Sequence, residues 1–497
     1  MKKPLATLLC LLMVLALAPI SHAEEPITLT IFIDHFWYPV ETFTGIIPEE
    51  ITRLTGIVLE PTIALDQEQL GVLIGSGDMP DLVYTQNLCD QMSNPDIAYS
   101  IEDLIAEYDV DWDISAKQLG IARGLSEDGK AYTILNHYSE KADWEGSNAV
   151  PMVGSAMYRT DLWEQMGKPP MTTFDELFDV LVMAKEQFPD LAAALKVNQN
   201  WNTLTTRFLC GMGQLDFIAQ EDGTYIHYTQ DPRYKEMLSW FNKCWNAGLI
   251  SPDESYFIAG STAVPTGSWF MSLGCTQNML PGALSELQQL DPSYGAAELV
   301  PFAESDFATS DIGWSGVFIT KANKNVEASI KFLAWMFTPE AQKLTQMGRE
   351  GIEYELNEQG LPVFSAEWIA ALNDGTHNNV YNPWFYLGGS EIVEADSRVA
   401  PTDPALVAEA YTVMRERFDN MPWVKAAEPI GTSDEKVILE KIKEMIKTYE
   451  RNMIMAENDE AFEKLYDEYL TNAQKTGIDT LNAYMTEKIN EIMPLYQ

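Results

Sequence analysis

Basic residues, histidine and cysteine are all scarce in this chain of 497 residues. It has 32 Lys and Arg against 74 Asp and Glu, which gives a formal net charge of −42. A surface this acidic repels nucleic acid and anionic lipid, so neither is expected as a partner. The five histidines do not have metal-ligand spacing, and no H-E-x-x-H, G-x-S-x-G or P-loop sequence occurs. The sequence therefore predicts neither a metal site nor an organic cofactor.

The cysteine spacing does not support a zinc site or a redox motif. The chain has five cysteines, and no two of them form a C-x-x-C pair. Two interpretations stay open for the four that follow the N-terminal segment: buried small hydrophobic residues, or disulfides in an oxidising compartment. These four are Cys89, Cys210, Cys244 and Cys275.

The chain has one long apolar run, and it lies at the N-terminus. Lys2 and Lys3 precede the apolar stretch 5–18, and Ser21 and Ala23 supply small residues at the cleavage positions. This pattern is typical of a secretory signal, so we predict that residues 1–23 are removed and that the protein is exported. We expect it in the periplasm or at the cell surface. Cys10 lies inside the run, so no cysteine is placed to carry a lipid anchor.

The first sixty residues after the signal have the rhythm of an α/β sheet. The alternating stretch 28–33 predicts a strand, 42–54 a helix and 57–59 a second strand. A helix over 66–74 then ends at a Gly-Ser-Gly turn, and 82–84 is a further strand. Because ligands gather where parallel strands end, the polar and aromatic residues that follow each strand are candidate site residues.

Several segments resemble extracellular solute-binding proteins of ABC importers, family 1, in the oligosaccharide-binding branch. The first is Ser-Gly-Asp-Met-Pro-Asp at 76–81, followed by the apolar pair Leu82-Val83. Four further segments follow in the family's order and extend the resemblance to the C-terminal region: Met157–Leu177, Asp231–Ile250, Asn325–Gln342 and Gly348–Tyr354.

The resemblance implies a two-lobed periplasmic-binding-protein fold of the second type, with a hinge and a helical C-terminal region. It places residues 24–138 and 304–350 in the N-terminal lobe, and 139–303 and 351–497 in the C-terminal lobe. The first crossing between lobes is expected near 131–143, where 130–135 also predicts a strand. The function it implies is capture of a carbohydrate, as a monomer without a cofactor, and delivery to membrane permease subunits.

Carbohydrate binding needs flat aromatic rings for the apolar sugar faces and polar side chains for the hydroxyls. Residues of these types that follow predicted strands or lie in loops are the candidate ligand-binding residues. They are Trp37, Tyr38, Tyr84, Gln86, Asn87, Arg159, Trp201, Trp269, Phe270, Trp314, Trp384 and Tyr386. Pairing with Asp161 is an equally good interpretation of Arg159, and His35 is a weaker candidate.

Two other functions stay open at this point. A secreted glycoside hydrolase can use two carboxylates that have no fixed spacing in sequence, and this chain has 74 acidic residues. The same fold could also bind a peptide or another polar solute. A calcium loop at Asp109, Asp111 and Asp113 is not supported, because Ile114 occupies the position that needs glycine.

Overall fold

The computed structural model describes most of the chain after the predicted signal. The described residues are 25–145, 147, 149–151, 153–197, 202–250, 267–275, 280–358, 360–383, 385–399 and 407–496. Residues 1–23 lie outside this set, so the signal sequence stays a prediction. Within the described residues, no helix combines the length and the apolar composition that crossing a membrane requires.

The described part of the chain contains fourteen strands. In order they are β1 Ile27–Ile33, β2 Ile57–Ile63, β3 Leu82–Thr85, β4 Ser155–Arg159, β5 Ala193–Lys196, β6 Phe217–Ala219, β7 Tyr225–His227, β8 Trp269–Cys275, β9 Ala296–Glu298, β10 Phe307–Thr309, β11 Gly316–Ile319, β12 Tyr354–Leu356, β13 Pro362–Phe364 and β14 Phe418–Asn420.

Helices connect the strands and make up most of the C-terminal third. They are α1 Ile46–Thr55, α2 Gln69–Ser76, α3 Cys89–Met92, α4 Ile101–Tyr108, α5 Ala116–Gly124, α6 Thr160–Gln165, α7 Phe174–Gln187, α8 Asn202–Leu209, α9 Pro232–Asn246, α10 Leu280–Leu290, α11 Val326–Met336, α12 Pro339–Met347, α13 Ala366–Asn373, α14 His377–Val380, α15 Phe385–Gly388, α16 Glu391–Val399, α17 Ala408–Arg417, α18 Pro422–Ala426, α19 Asp434–Ile454, α20 Asp459–Thr476 and α21 Ile478–Ile492.

The N-terminal sheet has the strand order β11-β3-β1-β2. β1 pairs in parallel with both β2 and β3, and β11 returns antiparallel to β3. The turn between α2 and β3 forms as predicted: Gly77 takes φ 72° and its N–H bonds to the Leu73 carbonyl. Parallel pairing of β1 and β3 brings their carboxyl ends to one edge of the sheet, which is the arrangement that the strand-helix-strand pattern predicts.

A second sheet has the order β5-β8-β4-β9. β4 is antiparallel to both β8 and β9, whereas β5 and β8 are parallel. Helices α7 and α9 pack on this sheet through apolar faces that include Leu177, Leu181 and Leu238. The mixed pairing and the surrounding helices make this a second α/β unit with its own core.

The segment between the two sheets departs from the sequence prediction. Residues 130–135 do not form a strand: the described contact is one antiparallel bridge between Leu135 and Gly316. The Thr133 hydroxyl donates to the Val317 carbonyl at 3.0 Å, and the Asn136 N–H donates to the Ser315 carbonyl at 2.9 Å. Because side-chain hydrogen bonds replace part of the backbone pairing, residues 130–135 run beside β11 without forming a regular strand pair.

Two main hydrophobic cores accompany the two sheets. The N-terminal core also contains Trp368, Tyr381 and Leu387, which the prediction assigned to the other lobe. The C-terminal core includes residues of α19 and α20 such as Ile442 and Tyr469. The two-lobed α/β fold with a helical C-terminal region is confirmed. The lobe boundaries stay a prediction, and we propose that residues 365–388 belong to the N-terminal lobe.

Candidate functional site

The ends of β1 and β3 place polar groups side by side at one edge of the N-terminal sheet. The Asp34 carboxylate follows β1, and its Oδ2 accepts hydrogen bonds from the Thr85 hydroxyl at 2.8 Å and from Asn87 Nδ2 at 3.1 Å. The Asp34 N–H also donates to the Tyr84 carbonyl at 2.9 Å. These bonds hold the two strand ends together and fix where the following residues point.

Three flat rings from two distant segments stack at this edge. The His35 ring lies 5.0 Å from Trp37 and 5.2 Å from Trp314, and the planes of His35 and Trp314 differ by 8°. The Trp37 and Trp314 rings are 5.8 Å apart and also stacked. We call His35, Trp37 and Trp314 the aromatic platform. Tyr84 packs edge-on against His35 at 5.0 Å and thus supports the platform from β3.

The loop before β11 positions Trp314, and the conformation of this loop requires glycine at the preceding residue. Gly313 has φ 93°, and a Cβ there would lie 2.6 Å from the Asn136 carbonyl oxygen, so only glycine fits. Asn136 makes three hydrogen bonds to the loop. Its carbonyl accepts from Trp314 N–H at 2.9 Å, its side-chain oxygen accepts from Ser315 N–H at 3.0 Å, and its N–H donates to the Ser315 carbonyl at 2.9 Å. The crossing segment thereby fixes the position of Trp314.

Burial changes the titration of the ionisable groups at this edge. It lowers the pKa of His35 to about 4, so the platform imidazole is neutral at pH 7. Burial also raises the pKa of Asp34, although the bonds from Asn87 and Thr85 oppose that effect. Asp311 has a pKa raised to about 6, again chiefly by burial, with the nearby His137 lowering it.

A buried His–Glu pair lies directly behind the platform. His137 packs edge-on against Trp314 at 5.8 Å, and its Nε2 is 2.9 Å from Glu394 Oε2. Two residues farther along, the Ser139 hydroxyl donates to Glu391 Oε2 at 2.5 Å. Helix α16 thus reaches the crossing segment through two carboxylates. Sequence reasoning missed this pair, because 257 residues separate His137 from Glu394.

Two buried polar atoms near the platform have no hydrogen-bond partner among the described residues. They are Asp34 Oδ1 and His137 Nδ1, and the two residues are 4% and 9% exposed. Buried polar atoms are normally satisfied, so these two are candidate partners for an ordered water or a ligand. An accessible flat ring beside such atoms suits a molecule that has both an apolar face and polar edges.

The structure brings together some of the sequence candidates. Trp37, Tyr84 and Trp314 meet at the platform, and Asn87 binds Asp34 behind it. Gln86 is exposed at the same edge. Tyr38 is a core residue instead, buried and edge-on to Phe43 at 6.1 Å.

Three candidates in the second sheet have structural roles, which corrects the expectation that they face a ligand. Arg159 is buried, forms a two-pronged pair with Asp161 and lies 3.9 Å above the Tyr294 ring. Trp269 and Phe270 open β8 and are 2% and 0% exposed within the C-terminal core. Gly267 and Ser268 directly precede β8, and the aromatic pair already belongs to the strand.

The side chains of the remaining three candidates are not described by the structure. Trp201 and Trp384 lie outside the described residues, and Tyr386 belongs to α15 without a described side chain. Within the described residues, no group of three His, Cys, Asp or Glu side chains is arranged to hold a metal ion. Cys89, Cys210 and Cys244 are free thiols.

Comparison with known proteins gives one relative in sequence and many in structure. No protein-family profile matches the chain. LipO, a lipoprotein of Bacillus subtilis, is 23% identical over 306 residues, which are 53% of this chain and 59% of LipO. The chain therefore aligns with less than two thirds of that relative.

Solved structures match nearly the whole chain. The alginate-binding protein AlgQ2 matches with TM-score 0.70 and 18% identity, covering 94% of this chain and 98% of AlgQ2. An HMO-binding solute-binding protein from Bifidobacterium longum infantis has TM-score 0.68 and 12% identity, over 95% and 99% of the two chains. The Streptococcus pneumoniae substrate-binding protein FusA, solved with kestose, has TM-score 0.63 and 18% identity, over 94% and 99%.

At these identities the structural matches establish the fold. They agree with the ordered sequence segments and with the LipO alignment. The chain thus has the two-lobed fold of these ABC-transporter solute-binding proteins, which is the fold that the resemblance in its sequence implies.

Proposed function

We propose that this protein is an exported, non-enzymatic solute-binding protein of an ABC importer, and that it binds a carbohydrate at the aromatic platform. The ligand is an oligosaccharide held between the two lobes and passed to the permease subunits. The protein acts as a monomer in the periplasm or at the cell surface.

The stacked platform is the observation that carries this proposal. Trp37 is 43% exposed although it stacks on His35 and on Trp314, so part of its side chain remains accessible at a sheet edge. Sugar rings present apolar C–H faces and polar edges, and a rigid aromatic face binds the first while nearby polar atoms bind the second. Asp34 and His137 supply such atoms.

The relatives support a carbohydrate over a peptide. AlgQ2 is named for alginate, the Bifidobacterium protein for HMO, and FusA was solved with kestose. These ligands belong to those proteins, and their shared chemistry supports the choice for this chain. A second structure of FusA and several of a Streptococcus pneumoniae N-glycan transport protein match with the same fold.

Closure of the two lobes would bury the bound sugar. In this proposal the first lobe consists of the N-terminal sheet and the elements that share its core, and residues 365–388 are added to it because Trp368, Tyr381 and Leu387 pack in that core. The platform belongs to that lobe, and His137 and Ser139 lie on the crossing segment that the closing movement would bend. A ligand that contacts both lobes favours the closed state by its extra affinity for that state.

Thermal unfolding of the purified chain from residue 24 tests the proposal. Oligosaccharides, monosaccharides and peptides are added singly, and a ligand at about a hundred times its dissociation constant adds about 2.7 kcal/mol of stability. The proposal predicts a rise in melting temperature with one class of sugar, with the sugar recovered intact. Hydrolysis of the sugar would favour a glycoside hydrolase, and a rise with peptides alone would contradict the carbohydrate ligand.

A further inference from the structure

The hydrogen-bonding capacity around the platform indicates the charge of its ligand. This inference rests on the proposed function. An ionised carboxylate only accepts hydrogen bonds, so the unpartnered Asp34 Oδ1 needs a donor. Because Oδ2 of the same group already accepts from Thr85 and Asn87, the carboxylate is held in place by neutral donors.

His137 contributes a second buried atom at the platform. Its Nε2 lies 2.9 Å from Glu394 Oε2, and a carboxylate oxygen accepts, so Nε2 carries the hydrogen. The other ring nitrogen, Nδ1, has no partner among the described residues. Asp34 Oδ1 is therefore the atom that requires a hydrogen-bond donor from the ligand.

Three carboxylates lie close to the platform. Asp34 precedes the platform residue His35, Glu394 binds His137, and Asp311 lies near His137. Neither Lys nor Arg is among the interactions that shift the pKa values of Asp34, His35 and Asp311.

Basic side chains on the neighbouring segments are engaged elsewhere. Lys117 pairs with Glu140 at 2.6 Å, and Lys141 donates to the Glu416 carbonyl at 3.0 Å. Arg415 donates to the Ala149 carbonyl at 2.8 Å, and Arg417 to the Phe302 carbonyl at 2.6 Å. Each of these four cations in the described structure therefore has a protein partner.

We propose that the platform selects oligosaccharides that are uncharged or carry amino groups, and that it rejects uronate-containing oligosaccharides. Hydroxyl and ammonium groups donate hydrogen bonds to Asp34 Oδ1, whereas a carboxylate cannot. A uronate would also bring negative charge beside existing carboxylates in a partly dehydrated site, where like charges repel strongly.

Sugars matched except for charge provide the test. Purified protein from residue 24 is titrated calorimetrically with neutral oligosaccharides, with chitosan oligosaccharides and with oligogalacturonate and alginate oligomers. The best neutral ligand is then oxidised at its primary hydroxyls to carboxylates and titrated again. We expect binding by a neutral or amino sugar, and at least a tenfold loss of affinity on oxidation. Equal or tighter binding of the oxidised sugar, or binding of uronates alone, would overturn the inference and leave the proposed function standing.

Variants provide a second measurement. Asp311→Asn removes one negative charge near the site, so it should reduce the loss of affinity on oxidation of the sugar at least threefold. The control is Glu60→Gln, which removes a negative charge from an exposed position of β2 and should leave that loss unchanged. An unchanged loss in Asp311→Asn would contradict the role of these charges. Absence of binding by every sugar tested would overturn the proposed function, and this inference with it.

Discussion

The two sheets carry aromatic and charged residues of the same kinds, but they use them differently. In the second sheet, Arg159 is enclosed by Asp161, the Gly267 carbonyl and Tyr294, and Trp269 lies in the core. At the edge of the first sheet, Trp37 remains exposed and Asp34 Oδ1 has no described partner. A residue's type therefore says less about ligand binding than whether the fold already satisfies it.

Removing one tryptophan from the C-terminal core and one from the platform should give the largest difference in the free energy of unfolding. Trp269→Ala is expected to lower the free energy of unfolding by about 3–5 kcal/mol, since it leaves a cavity in the C-terminal core. Trp37→Ala should cost less than about 1 kcal/mol, because its side chain is already 43% exposed. Denaturant titration of both variants measures the difference, and equal losses would contradict the division between core and platform.

Arg159 provides the next test of the enclosed region. Arg159→Ala is expected to destabilise the protein by about 3 kcal/mol, because it leaves the Asp161 carboxylate and the Gly267 carbonyl without their partner. Arg159→Lys keeps the charge and loses the two-pronged geometry, so its loss should be smaller but measurable. Denaturant titration supplies both values, and a wild-type stability in Arg159→Ala would refute the structural role.

The platform should make the first lobe sensitive to acid. The pKa of His35 is lowered to about 4 from an ordinary value near 6.5, so the unfolded chain binds the proton more readily. The stability that this gives is present above about pH 6.5 and is lost as the pH falls through 4. We expect wild-type protein to lose about 2 kcal/mol more than His35→Asn between pH 6.5 and 4. Parallel pH profiles from denaturant titration would contradict this.

Ligand affinity should depend on Trp37 much more than the stability of the protein does. Once a sugar ligand is identified, Trp37→Ala should weaken binding by about 1–2 kcal/mol, from the lost stacking area. Phe36→Ala removes an exposed ring outside the platform and should change affinity little. Calorimetry on both variants measures this, and an unchanged affinity for Trp37→Ala would remove that residue from the site.

Much of the fold could be predicted from local sequence. The strands predicted at 28–33 and 82–84 match β1 and β3 to within one residue at each end. The helix predicted at 66–74 matches α2 to within three residues at each end. The strand predicted at 130–135 was wrong. Its apolar pattern suits a strand, but Thr133 bonds to Val317 of β11 through its side chain, and Asn136 bonds to Trp314 and Ser315 in the loop before β11. A local sequence pattern does not reveal where side-chain hydrogen bonds replace the backbone pairing of a strand.

The site was predicted only in part, for a physical reason. Trp37 and Tyr84 follow from the rule that strand ends gather ligands, and Trp314 from its place between Gly313 and Ser315. The Glu394–His137 pair depends on where α16 packs, which no local pattern encodes. Trp269 and Arg159 had the right residue types, but their partners are set by tertiary contacts.

A crystal structure of the protein with the sugar that gives the largest thermal shift would show directly whether the aromatic platform holds the ligand. We expect a sugar ring stacked on Trp37 or Trp314, with hydroxyl groups bonded to Asp34 Oδ1 or His137 Nδ1. A ligand bound elsewhere, with the platform uncovered, would contradict this expectation.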